Sequence, residues 1–205
     1  MNYATIKDCD IANGEGVRVS LFVSGCTHHC EGCFNSVAWD FLYGEPFTRA
    51  TEEHLCALLD HPWISGLSLL GGEPMEPENQ RALVPFLEHV RKAFPEKTIW
   101  CYSGYTYETD LRGAKPGELL DGNRVDPHAA IFPASPRCEV TDRMLSMIDV
   151  LVDGEFVIAK KNIRLRFRGS ENQRILHLRD GKIDWIEASD PRADHGDREQ
   201  VGGSA

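Results

Sequence analysis

Ser24-Gly25-Cys26-Thr27-His28-His29-Cys30-Glu31-Gly32-Cys33-Phe34-Asn35 spaces three cysteines by gaps of three and then two residues, directly after the apolar run 17–24. Three thiolates can hold a cubane iron-sulfur cluster by three of its irons and leave the fourth open to a small molecule, whereas an electron carrier takes four cysteines. Two other readings stand beside this one. The spacing i, i+4, i+7 would also put the cysteines on one buried helix face, although Gly25, Gly32 and the histidine pair disfavour a helix there. A structural zinc site could complete a Cys3His tetrahedron with His28 or His29 and make the chain a non-catalytic binding module. Against it, neither histidine has zinc-finger spacing and no second Cys-x-x-Cys follows downstream.

Working outward, Gly66-Leu67-Ser68-Leu69-Leu70 reads as a buried strand that runs into Gly71-Gly72-Glu73-Pro74. Bare backbone and one carboxylate thus sit at the carboxyl end of a strand, where open α/β sheets and barrels place ligands. Glycine lets a ligand approach the main chain, and Glu73 can accept charge-assisted bonds from an ammonium group. Elsewhere strands and helices alternate. Thr51 is the expected cap of a helix reaching Leu59; Leu83, Leu87, Val90 and Phe94 recur at helical intervals within 78–94; residues 97–102 return as a strand. Thr141 or Asp142 can cap a helix running to Ile148, and 149–153 form the next strand. This alternation predicts an α/β fold with a parallel sheet. The two runs Ile175-Leu176-His177-Leu178 and Ile183-Asp184-Trp185-Ile186 flank Asp180-Gly181 and predict a C-terminal hairpin.

With both segments in view, the chain resembles the radical S-adenosylmethionine superfamily, whose hallmark is Cys-x3-Cys-x2-Cys followed by a Gly-Gly-Glu segment on the second strand. Four further stretches narrow the likeness to glycyl-radical-enzyme activases, specifically the activating proteins of anaerobic ribonucleoside-triphosphate reductases. They are Asn13-Gly14-Glu15-Gly16-Val17-Arg18 leading into Leu21-Phe22-Val23-Ser24-Gly25-Cys26, Trp100-Cys101-Tyr102-Ser103-Gly104-Tyr105-Thr106, Asp149-Val150-Leu151-Val152-Asp153-Gly154-Glu155-Phe156, and Phe167-Arg168-Gly169-Ser170-Glu171-Asn172-Gln173-Arg174. The likeness covers residues 1–109 and 145–178.

The resemblance implies a partial, open parallel β/α barrel of the radical SAM type spanning 1–187. Cys26, Cys30 and Cys33 would hold one 4Fe-4S cluster. Gly32, Cys33, Phe34, Gly72 and Glu73 would contact S-adenosyl-L-methionine; an aromatic residue often precedes the third cysteine in the superfamily, and here Gly32 stands there with Phe34 one place beyond. Reductive cleavage of S-adenosylmethionine would give a 5'-deoxyadenosyl radical that takes hydrogen from a glycine of the large reductase subunit, with reduced flavodoxin or ferredoxin as electron donor. Activation of another glycyl-radical enzyme such as pyruvate formate-lyase, or action on a small molecule, are the alternatives. Arg18, Ser103, Tyr105, Asp153, Arg168 and Arg174 are candidates for site lining or partner docking. Against these stand plainer roles: core packing for Tyr105 and Phe34, turn formation for Asp153, local ion pairs for Arg168 and Arg174. His28 and His29 are expected as exposed loop residues, and Cys9, Cys56, Cys101 and Cys138 as packing.

Residues 112–140, rich in proline and glycine, depart from the family and are expected as an irregular insertion, either a lid or, the favoured reading, a surface excursion. Residues 188–205 are polar and glycine-rich, the composition of a disordered tail. A length of 205 residues, 41% of them hydrophobic, suits one core, and a net charge of -10 disfavours a nucleic-acid binder that works through phosphates. Seven scattered cysteines, no signal-peptide pattern and no bilayer-length apolar run lead to the expectation of a cytoplasmic protein without a membrane partner.

Overall fold

The computed structural model describes residues 1–129, 132 and 135–188. Chain order runs β1 (Asn2–Asp10), β2 (Val17–Val23), β3 (Glu45–Pro46), α1 (Arg49–Leu59), β4 (Ile64–Gly71), α2 (Pro77–Ala93), β5 (Thr98–Tyr102), β6 (Leu119–Leu120), β7 (Asn123–Arg124), α3 (Thr141–Leu145), β8 (Val150–Asp153), β9 (Arg174–Arg179) and β10 (Lys182–Ile186). Among the described residues, eight strands form one sheet in the order β10-β9-β8-β5-β4-β2-β1-β3, while β6 and β7 pair separately. β2, β4, β5 and β8 are mutually parallel neighbours. Antiparallel strands flank them, β1 and β3 on one side and β9 and β10 on the other. The sheet does not close into a barrel among the described residues, since β3 and β10 are its two ends.

Period-two alternation sorts each central strand between two faces. Val19, Leu21 and Val23 of β2, Leu67 and Leu69 of β4, Ile99 and Cys101 of β5 and Leu151 of β8 join one core with Leu55, Leu59, Leu83, Phe86, Leu87 and Val90 from the helices. On the other face Trp100, Val150, Val152 and Ile175 form a smaller cluster against Tyr102 and Phe167. Arg18, Ser20 and Ser68, all fully buried, occupy positions of the same parity on β2 and β4. Because the helices serve the first face, the second is covered by the loops.

Sequence expectations hold where the apolar pattern is strong and shift at the ends. The helix expected to start at Thr51 begins at Arg49: Thr48 is the cap, and Thr51 returns the reciprocal bond of a capping box. The helix expected to reach Ile148 ends at Leu145, with no side-chain cap. β1 went unread, because Lys7, Asp8 and Asp10 make it polar; charge of this kind blunts a strand near a sheet edge. The C-terminal hairpin forms as expected, with Asp180 and Gly181 at φ 51° and 72°, both in the left-handed region that a two-residue primed turn requires.

The insertion is not only a surface excursion. Within 112–140, Val125 is buried, and the Phe132 ring packs 4.4 Å from His28 and 5.1 Å from Tyr105. The expected disordered tail, from residue 189 onward, lies outside the described residues. Among the described residues no helix is long and apolar enough to cross a membrane.

Candidate active site

The site grows from the carboxyl ends of β2 and β4. Where β2 stops, Gly25 and Cys26 donate their amides to Ala38 and Trp39 carbonyls at 2.8 and 3.1 Å, closing the cysteine loop at its base. Gly25 adopts φ 94°, and a Cβ there would sit 2.3 Å from the Phe41 ring. From β4, the Gly72 amide reaches Val23 O at 2.7 Å and the Glu73 amide reaches Gly25 O at 2.8 Å, so the two sequence motifs are joined by main-chain bonds. A Cβ on Gly72 would meet Gly25 O at 2.5 Å and Ala38 O at 2.9 Å, which leaves only glycine at that junction.

Two carboxylates then brace the assembly from beneath. Glu73 is 1% exposed. Its oxygens accept from the Met75 amide at 2.8 Å and from the Gly104 amide at 2.7 Å, tying the end of β4 to the turn after β5. Burial pushes its carboxyl up to about 8, against the pull of those two amides. Glu76, just before α2, accepts from the Thr27 amide at 2.8 Å and the Thr27 hydroxyl at 2.6 Å, and its Oε1 also takes the Tyr105 hydroxyl at 3.3 Å. Glu76 was not read from the sequence: its partners lie far along the chain, and no spacing rule connects them.

Above this base a cavity of about 530 Å³ is lined by Cys26, Cys30, Cys33, Gly72, Glu73 and Ser103, among others. Gly32, Phe34 and Arg168 line it as well. Phe34 is 87% exposed, so it stands at the mouth and is not a core residue. The fourth side is the long β8–β9 connection. Phe156, Ile163, Leu165 and Phe167 face the cavity from it, and Glu155 Oε1 lies 3.6 Å from the Cys30 thiol. Burial holds the Cys26 thiol up at about 12 and the Cys30 thiol at about 11.

Four expected residues lie outside this lining. Arg18 is fully buried, with its guanidinium on Ser68 Oγ at 2.7 Å, Leu67 O at 2.7 Å and Thr98 O at 2.8 Å, so it packs the second face of the sheet. Tyr105 is 1% exposed and serves the Glu76 network. Asp153, also 1% exposed, accepts from the Tyr107 amide at 2.9 Å and from Arg174 Nε at 2.9 Å, while Arg174 makes a further two-pronged contact to Glu108 at 3.0 and 2.7 Å. Asp153 and Arg174 therefore form an internal clamp, the plainer of the two readings for Arg174. His28 is not an exposed loop residue: its side chain is 2% exposed, lies against Tyr105 and Phe132, and brings Nε2 to 3.5 Å from Glu73 Oε2. Burial lowers its pKa and favours the neutral ring. His29 is exposed, with its ring against Trp39.

The residues present fit a cluster held by three thiolates. Three cysteines line one cavity, and Cys9, Cys56, Cys101 and Cys138 are not in its lining. Among the described residues no three His, Cys, Asp or Glu side chains are gathered about a point as a single metal ion would need.

Comparison with known proteins agrees with this geometry. Residues 12–176 match the family model described as 4Fe-4S single cluster domain, which supports an iron-sulfur cofactor. The anaerobic ribonucleoside-triphosphate reductase-activating protein of Enterobacteria phage T4 is 36% identical over 183 residues, 88% of this chain and 97% of the relative. The protein of that name from Pasteurella multocida is 37% identical over 181 residues, 87% of this chain and 98% of the relative. The one from Escherichia coli K12 is 36% identical over 181 residues, 87% of this chain and the whole of the relative.

Proposed function

This chain belongs to the family of anaerobic ribonucleoside-triphosphate reductase-activating proteins, and we propose that it installs a glycyl radical in such a reductase by reductive cleavage of S-adenosylmethionine. The observation that carries the reading is a cavity lined by Cys26, Cys30 and Cys33 and, among the described residues, by no other cysteine, its cysteine loop tied to the end of β4 through the Gly72 and Glu73 amides. Held by Cys26, Cys30 and Cys33, a 4Fe-4S cluster would supply the electron that splits the sulfonium into methionine and a 5'-deoxyadenosyl radical, which would take a hydrogen atom from a glycine Cα and leave as 5'-deoxyadenosine.

The chain's own part is binding and orientation. Cys26, Cys30 and Cys33 are the thiolate ligands, and loading must displace the protons that burial holds on Cys26 and Cys30. The Gly72 main chain, bare of any side chain, is the contact for the methionyl end of S-adenosylmethionine. Glu73 is a positioning residue, holding Gly104 and Met75 around that contact. Gly32, Cys33 and Phe34 take the nucleoside side, with the exposed Phe34 ring available for stacking. In this reading the unclosed sheet works as a partial barrel of the radical SAM type, whose slot would admit a polypeptide loop. The partner is the large reductase subunit, and a reduced flavodoxin or ferredoxin is the donor.

Anaerobic reconstitution with iron and sulfide tests this. The expected results are iron with sulfide and no zinc, 5'-deoxyadenosine on addition of dithionite and S-adenosylmethionine, and a glycyl signal in electron spin resonance once the reductase is added. One zinc without iron, or iron without 5'-deoxyadenosine, would overturn the proposal.

A further inference from the structure

The chain is acidic overall, yet Lys160, Lys161, Arg164, Arg166 and Arg168 place five of its 22 basic residues within nine positions, and no acidic residue occurs between Glu155 and Glu171. Only its end, Phe167 and Arg168, belongs to a motif shared with the family. In the structure it belongs to the β8–β9 connection, where Lys161, Ile163, Leu165, Phe167 and Arg168 line the cavity that contains the three cysteines. Lys160, Lys161, Arg164 and Arg166 are exposed. Between them Ile163 is 90% exposed, and Phe34, which also lines the cavity, is 87% exposed.

The strap shows signs of being built for something outside the chain. Phe167 sits at φ 58°, a costly conformation for a bulky aromatic residue. Arg168 donates from Nη1 to Gln173 O at 3.2 Å, while its Nε is buried with no hydrogen-bond partner among the described residues. Among the described residues Arg166 has a loose acid neighbour, Glu15 at 3.6 Å, and lies over the Phe167 ring at 4.7 Å. Against a net charge of -10, a basic strap attracts an acidic partner that the chain as a whole repels, so charge can orient the approach as well as speed it.

Resting on the activase reading, we propose that residues 160–168 are the docking strap for an acidic, apolar-bearing polypeptide segment of the target enzyme, drawn over the rim so that its glycine enters the cavity. The strap walls the cavity itself, and of the two macromolecules this reading requires, the target must enter while an electron donor need only come near.

The test uses the reconstituted protein with its reductase and the variant Lys160→Ser/Arg164→Ser/Arg166→Ser, whose three positions lie outside the cavity lining. Cleavage of S-adenosylmethionine with dithionite alone should stay within about twofold of wild type, while the reductase concentration giving half-maximal glycyl radical should rise roughly tenfold and lose much of its salt dependence. Equal half-saturation and an equal salt response would overturn the proposal. So would a defect that appears only when a protein donor replaces dithionite, which would assign the strap to the donor. The charge-keeping variant Lys160→Arg/Arg164→Lys/Arg166→Lys must behave as wild type; a matching loss there would mean the strap only supports the fold. Direct titration of the reductase onto the protein needs no turnover, so a wild type that binds in a salt-dependent manner but cleaves nothing would reject the activase chemistry and leave the docking strap standing.

Discussion

At the residue scale, the least exposed groups of the site are its supports. Glu73 and Glu76 are three positions apart, yet one ties together two strand ends and the other fixes Thr27 within the cysteine loop. Glu76→Ala should leave the Thr27 amide and hydroxyl without their acceptor and cost about 1 kcal/mol. Urea unfolding of the iron-free protein measures that cost. The reconstituted variant should also lose iron faster than wild type on gel filtration; unchanged retention would show that Glu76 does not hold the loop.

At the scale of elements, the join between β8 and β9 depends on the clamp of Asp153, Arg174 and Glu108. Burial keeps the Asp153 carboxyl above its usual range even with Arg174 beside it. Arg174→Met should cost about 3–5 kcal/mol, since it leaves a buried charge uncompensated. The sign of the pH effect follows from proton counting. With Arg174 gone the folded pKa of Asp153 rises further, so the folded state holds a proton that the unfolded state has released, and stability falls as pH rises through that interval. The deficit should therefore be smaller at mildly acidic pH than at mildly alkaline pH. Denaturant midpoints at the two values check it; an equal deficit would remove Asp153 as the cause.

At the scale of the whole molecule, the cysteine loop projects from the ends of β2 and β4, while the apolar side chains of the main core come from the strands and helices. Its base is closed by main-chain bonds from Gly25 and Cys26, and the main core contains none of Cys26, Cys30 and Cys33. Chelating the iron from reconstituted protein should therefore raise hydrogen exchange across residues 27–35 and leave the Leu67 to Leu70 amides protected. Loss of protection throughout the sheet would show instead that metal and fold are one cooperative unit.

The sequence by itself determined the spacing of the three cysteines and the central framework. Three thiols at short spacing are a local signal, and runs such as Val17–Val23 and Val150–Asp153 are buried on both faces, so their composition alone marks them as central strands. It also carried the hairpin, because a primed turn is specified by its two residues. Only the tertiary structure decided which polar residues reach the cavity. Arg18, Tyr105, Asp153 and Arg174 look like site residues in a motif, yet their partners are other parts of this chain. Glu76 and Phe132 carry no local mark, and His28, marked only as a loop residue beside the cysteines, is buried by Tyr105 and Phe132; all three are placed by contacts between segments far apart along the chain. The physical reason is that a ligand set fixed by neighbours in sequence is written in the spacing, whereas burial and hydrogen-bond partnership depend on which strand ends the sheet brings side by side.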